Sequence, residues 1–217
     1  MFFSRRISER SFIYVLVRTR DPQKEKSIHE NAIKMFFREG FDGFSMQKLA
    51  RVSRVSPATL YIYYKDRDDL ILELYASEVK KMWEAALDGF DPEMPFAQGM
   101  AIQWKNRARY FLENPLSSHF LEQIRYTPFH DRAQSRADGS FTDSMRIFVR
   151  NAIQKKELAP MPVEIYWSVA YAPLYQLLKF HMHKHSFQGT KRFVFSEKLM
   201  MQTLKLVLKA LKPEEKE

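Results

Sequence analysis

Apolar residues recur at three- and four-residue spacing through most of this chain, the signature of helices with one covered face. Ile28, Ala32, Ile33, Phe36 and Phe37 share a face over about residues 23–39, and Gly40 stands where a helix C-terminal cap belongs. Ser45 is a good N-cap for a short helix that buries Met46, Leu49 and Ala50. Ser53-Arg54-Val55 breaks the pattern, and Ser56-Pro57 restarts it with serine as cap and proline at the first helical position. In that second short helix Leu60, Tyr61 and Tyr64 are the expected anchors, while Ala58, Thr59, Ile62 and Tyr63 face outward. Asp66 then caps a long helix over about 66–87, with Leu70, Ile71, Leu74, Val79 and Met82 turned inward. Asp68 and Asp69 suit the positive first turn of that helix.

Residues 88–95 (DGFDPEMP) are a turn-rich break. Helical spacing returns over 96–113 through Met100, Trp104, Ala108, Phe111 and Leu112, and over 116–126 through Phe120, Leu121 and Ile124. Residues 127–140, polar and containing Pro and Gly, read as a loop. A helix follows over 141–157, carrying Met145, Phe148, Val149, Ala152 and Ile153. Two long helices close the chain, over about 163–185 and 196–211, and they are apolar on more than one face. A helix of that kind has to be covered on several sides. The pattern therefore predicts an all-α protein, and six glycines in 217 residues agree with it.

Charge adds a direction. The net charge is +9, but residues 1–65 hold 13 Lys/Arg against 6 Asp/Glu, so nearly all the excess lies in the first third. A basic segment over two short helices suits a polyanion. An anionic membrane is the competing partner, but no long basic amphipathic helix is present to lie on one. Residues 1–21 flank a six-residue apolar run with arginines, too short for a signal-peptide core or a membrane span. They read either as a basic arm touching DNA or as an untethered extension. The absence of cysteine removes a disulfide scaffold and a thiolate metal site, and fits a cytoplasmic location.

Spacing alone leaves residues 45–64 as either a helix-turn-helix or two connecting helices. The stretch Leu49-Ala50, then Val55-Ser56-Pro57-Ala58-Thr59-Leu60-Tyr61-Ile62-Tyr63-Tyr64-Lys65, closing with Asp66 to Leu70, resembles the DNA-binding domain of TetR/AcrR-family transcriptional regulators. The likeness extends over about residues 22–80. Arg54 and Ala58 stand where the family often has glycine. The resemblance implies a three-helix DNA-binding domain over 22–82 and a helical effector-binding and dimerisation domain over 83–217. It implies a homodimer paired through the last two helices, bound to a near-palindromic operator and more often repressing than activating. Carried over residue by residue, Ser45, Thr59, Tyr63 and Lys65 contact phosphates, and Gln47, Pro57, Ala58 and Ile62 lie near base edges. Ser56 belongs to the same surface, and Tyr61 offers either its hydroxyl to the backbone or its ring to the core. An architectural DNA binder of the same fold, or a carrier of apolar ligands, remains open as an alternative.

No phosphate-binding glycine loop, GxSxG elbow or HExxH is present, so no enzymatic activity is expected. His181 and His185 share a helical face without an evident third ligand, and histidine near a helix C-terminus is favoured electrostatically in any case. No metal or other cofactor is expected. Family resemblance further implies a pocket for a small apolar effector in the second half. Its candidate walls are Trp104, Phe111, Phe120, Tyr126, Met145, Phe148, Trp167, Tyr171 and Tyr175, since aromatic and Met side chains offer large adaptable surface.

Overall fold

The structure is a computed structural model, and it describes residues 21–134, 140–184 and 192–214. Its regular elements there are all helices: α1 Pro22–Gly43, α2 Met46–Val52, α3 Pro57–Tyr63, α4 Arg67–Ala86, α5 Phe96–Glu113, α6 Pro115–Ile124, α7 Phe129–Gln134, α8 Ser140–Gln154, α9 Val163–Ala170, α10 Ala172–His183 and α11 Glu197–Leu211. The arm over residues 1–20 and His185 lie outside the described residues. None of these helices is long and apolar enough to cross a membrane.

Two hydrophobic cores organise the helices. The first gathers α1, α2, α3 and the first part of α4, with Ile28, Phe36, Leu49, Leu60, Leu70 and Leu74 fully buried. Phe120 and Ile124 of α6 belong to this core as well. The Phe36 ring stacks on Phe44 at 4.3 Å and meets Phe120 at 5.1 Å, so the head is fastened to the body through aromatic contact. The second core holds α5, α8, α9, α10 and α11 around Trp104, Phe148, Tyr171 and Leu174. Trp83 of α4 packs against both. The boundary expected at residues 82 and 83 thus falls inside one continuous helix.

Several local expectations are corrected. Gly40 adopts φ 67° and interrupts α1, as a cap would, but helical backbone resumes to Gly43. Phe37, expected on the buried face, is 50% exposed with its ring edge toward His119. The expected loop over 127–140 contains α7. Pro128 immediately precedes that helix, and the Thr127 hydroxyl accepts the Phe129 amide at 3.3 Å. Phe129 stacks on Phe41, a tertiary contact that local polarity does not reveal. The expected single helix over 163–185 is two helices joined at Tyr171 (φ −126°). Pro173 is the cause, since it has no N–H to give and its ring collides with the carbonyl four residues back.

His29 on α1 has a mostly buried ring, and among the described residues its Nε2 has no hydrogen-bond partner. Burial pushes its pKa below the ordinary 6.5, against weaker opposing pulls from Glu25 and neighbouring acids. The unfolded chain therefore takes up this proton first as the solution is acidified, and stability falls from about pH 6.5 downward. Replacing His29 with Gln should flatten the fall in Tm between about pH 7 and pH 5. An unchanged slope would assign it elsewhere, for example to His119, which burial lowers in the same direction.

Candidate functional site: a helix-turn-helix and a cleft in the body

Capping sets the geometry of α2 and α3. The Ser45 hydroxyl accepts the Lys48 amide at 3.2 Å, and the Ser56 hydroxyl accepts the Thr59 amide at 3.1 Å. Between them the chain turns through a Schellman arrangement. The Val55 amide bonds the Ala50 carbonyl at 3.0 Å, and the Arg54 amide bonds Arg51 at 3.2 Å. This requires a left-handed residue, and Arg54 supplies it at φ 54°. The tight turn therefore forms without glycine, at the modest strain that an L-residue carries there.

Around α3 the outward face is small and polar at its N-terminal end. Ser56, Pro57 and Ala58 are exposed, Thr59 is half-buried with its hydroxyl 2.8 Å from that of Ser56, and Ile62 is 39% exposed. Gln47 and Lys65 are exposed beside it, and Ser45 is partly covered. Two expectations exchange places. Tyr61, expected as an anchor, is 56% exposed. Tyr63, expected to face outward, is buried, and its hydroxyl accepts the Asp21 amide at 2.8 Å. On a helix this short the third anchoring position is decided by the neighbour across the groove, here the start of α1. Lys48 and Arg51 of α2 are also exposed near this face. The Lys48 ammonium is held by Glu39 at 2.7 Å.

In the body a cleft of about 1030 Å³ opens between α4, α8, the segment before α9, and the α9–α10 bend. Of the nine residues expected to wall a pocket, Met145, Trp167, Tyr171 and Tyr175 border it. The other five do not. Trp104 and Phe148 are core residues, and the Trp104 indole donates to the Ala170 carbonyl at 2.8 Å. Phe111 packs at the edge of that core, 6.2 Å from Tyr175. Phe120 belongs to the core of the head, and Tyr126 is 76% exposed. Helical spacing marks an aromatic residue as covered without saying whether a neighbour or a void covers it.

One cleft residue had no signal in the sequence. Arg107 of α5 is 2% exposed. Its guanidinium lies 4.4 Å from the Tyr171 ring centroid, 5.3 Å from Phe141 and 5.4 Å from Trp167. Nε donates to Gln103 Oε1 at 3.1 Å and Nη1 donates to the Tyr175 hydroxyl at 2.8 Å. These partners are all neutral, and among the described residues Nη2 has none at hydrogen-bonding geometry. Burial works against its charge, but the Tyr175 and Tyr171 hydroxyls more than offset this, so its pKa lies above the ordinary value. Burying an ion costs several kcal/mol, while a desolvated cation–π contact returns up to about 2 kcal/mol. The side chain is thus accommodated without being neutralised. Burial also pushes the Tyr171 hydroxyl up, with the Arg107 charge opposing it.

Elsewhere the candidate metal reading gains no support. The His181 Nδ1 accepts the Phe195 amide at 3.2 Å, and His183 is exposed. Among the described residues no three His, Cys, Asp or Glu side chains gather as ligands.

Two short capped helices on a tight turn, carried by a helical body that holds a cleft, define a helix-turn-helix protein. Residues 28–74 match the model for "Bacterial regulatory proteins, tetR family". It is similar to an uncharacterized HTH-type transcriptional regulator of Haemophilus influenzae, 36% identical over 96 residues, which are 44% of this chain and 51% of that protein. It is also similar to the uncharacterized HTH-type transcriptional regulator YhgD of Bacillus subtilis, 27% identical over 36% of this chain and 40% of that one. The chain thus spans about half or less of the length of the curated relatives it matches. Among solved structures, a TetR family transcription regulator from Marinobacter aquaeolei superposes with a TM-score of 0.77 at 24% identity, covering 89% of this chain and 98% of that one. A TetR-family regulator from Haemophilus influenzae gives 0.73 at 20% identity, covering 88% and 98%. At these identities the likeness establishes the fold of the body but not its ligand.

Proposed function

We propose that this chain is a DNA-binding transcriptional regulator, a repressor, that grips a near-palindromic operator as a homodimer and lets go when a small effector enters the cleft. The observation that carries this reading is the course of α4. Only three residues separate it from the end of α3, and it runs unbroken to the cleft, where Tyr75, Val79, Met82 and Trp83 form part of the wall. A ligand that wedges this wall moves the mount of α3. In a dimer whose two α3 helices must sit roughly 34–36 Å apart in successive major-groove faces, a small tilt spoils the fit. The effector has to prefer the non-binding state, because equal affinity for both states shifts nothing.

Pairing through the closing helices is supported by apolar side chains left uncovered there: Leu206 is 70% exposed and Leu199 38%. Ser45, Ser56 and Thr59 frame the phosphate-facing edge, while Gln47, Pro57, Ala58 and Ile62 occupy the face toward the bases. Tyr61 joins them through its exposed ring. Tyr63 acts from behind, tying α3 to the start of α1. The decisive experiment combines band shifts on genomic fragments with sedimentation of the free protein. The reading requires a sharp specific band that weakens steeply with salt, and a dimer at micromolar concentration. A monomer indifferent to every fragment would overturn it. Lys65, exposed at the end of α3, is assigned to phosphate. Lys65→Ala should therefore weaken binding to all sequences alike and lower the salt slope by about 1. A loss confined to one operator position would contradict that assignment.

A further inference from the structure

The charge of the cleft specifies its ligand more closely than its apolar walls do, an inference that rests on the reading of that cleft as the effector site. Its basic wall residues are Arg107, Arg125, Arg146, Arg150 and His130, and among the described residues no Asp or Glu borders it. Arg125, Arg146 and Arg150 are exposed, and Arg146 already pairs with Asp143 at 2.8 Å. Arg107 differs from them. It is buried, it borders the cleft, and every partner it has among the described residues is neutral. Among the described residues two buried polar atoms on cleft-bordering residues lack a hydrogen bond of normal geometry, the Arg107 Nη2 and the Tyr171 hydroxyl, the latter lying close to Tyr166 and to Arg107 itself. A third, the Gln103 Nε2, lies on the residue that accepts from Arg107. Buried donors in that state are unusual in folded proteins, and the deficit here is concentrated around one cation.

We propose that Arg107 receives the carboxylate of an amphiphilic acid whose apolar body lies along Met145, Val149 and Trp167. A planar carboxylate offers two oxygens, and the Nη2 and the Tyr171 hydroxyl offer one donor group for each. The anion completes the hydrogen bonding of the guanidinium and neutralises it, while the hydrocarbon replaces water on the apolar wall. A phosphate, with a third oxygen and a second charge, asks for more donors than the Nη2 and the Tyr171 hydroxyl supply.

Decanoate, 1-decanol and decyl phosphate, titrated into the full chain at neutral pH, test the assignment. Intrinsic fluorescence reports binding, since Trp83 and Trp167 both border the cleft. Decanoate should bind roughly tenfold or more tighter than 1-decanol, because an unmet charge is left behind by the alcohol. Arg107→Met should erase that preference while 1-decanol still binds. Tyr171→Phe removes a single oxygen, so it keeps the test open if the methionine variant misfolds. It should weaken decanoate several-fold and leave 1-decanol unchanged. Equal affinity for acid and alcohol, a preference that survives Arg107→Met, tighter binding of decyl phosphate, or no saturable binding of any probe would each overturn the proposal. Band shifts on the same preparation separate it from the regulator reading. Selective decanoate binding without release of DNA upholds the carboxylate site and removes only its role as effector site.

Discussion

Ala58→Asp should leave the protein folded and take away its grip on DNA. Ala58 is exposed in the first turn of α3, one residue after Pro57, and its methyl group has no part in either core. A carboxylate near the N-terminus of a helix is favoured by the helix dipole by about 0.3–1 kcal/mol, so Tm should hold or rise slightly. Against the phosphates the same charge is repelled. Like charges brought together at an interface cost several kcal/mol, which corresponds to a loss of affinity on the order of 100-fold. Band shifts and a melting curve on one preparation check both halves of the expectation. Full DNA affinity in a folded Ala58→Asp protein would remove α3 from the interface.

Trp104→Ala should have the largest effect on stability. The side chain is fully buried in the second core, and its indole N–H satisfies the Ala170 carbonyl at 2.8 Å, at the end of α9 beside the bend. Removing it empties a large volume and leaves that carbonyl unpaired. Substitutions of this kind cost about 3–5 kcal/mol, a large fraction of the roughly 5–15 kcal/mol that holds a domain together. Trp104→Phe keeps most of the volume and loses mainly the hydrogen bond, for about 1–2 kcal/mol. Urea unfolding followed by circular dichroism distinguishes the two. A loss for Trp104→Ala no larger than that for Trp104→Phe would mean that the site collapses around the cavity and that packing contributes less here than the hydrogen bond.

The helix-turn-helix was legible because its determinants are local. Ser45, Ser56 and Asp66 each cap the helix they precede by bonding the amide three residues onward, so residue order alone is enough to place them. The same holds for the closing helix, where Ser196 accepts the Leu199 amide. The bend at Tyr171 was equally local, since Pro173 announces it, but a continuous apolar run masked the proline. Where two local signals compete, the missing amide of proline outweighs the periodicity.

The all-α class, the capped pair of short helices, the basic head and the greasy closing helices are written in the chain itself. Each follows from capping, periodicity or charge, which act within a few residues or simply add along the chain. Packing was needed to cover Tyr63 and leave Tyr61 exposed, to assign Phe120 to the head, and to stand five of nine aromatic and Met candidates away from the cleft. Packing alone placed Arg107 under three rings without an anionic partner. The physical reason is that burial is a property of what arrives from the far side: a helical face specifies that it needs a cover, and only the assembled fold determines whether a side chain, a partner helix or a cavity provides it.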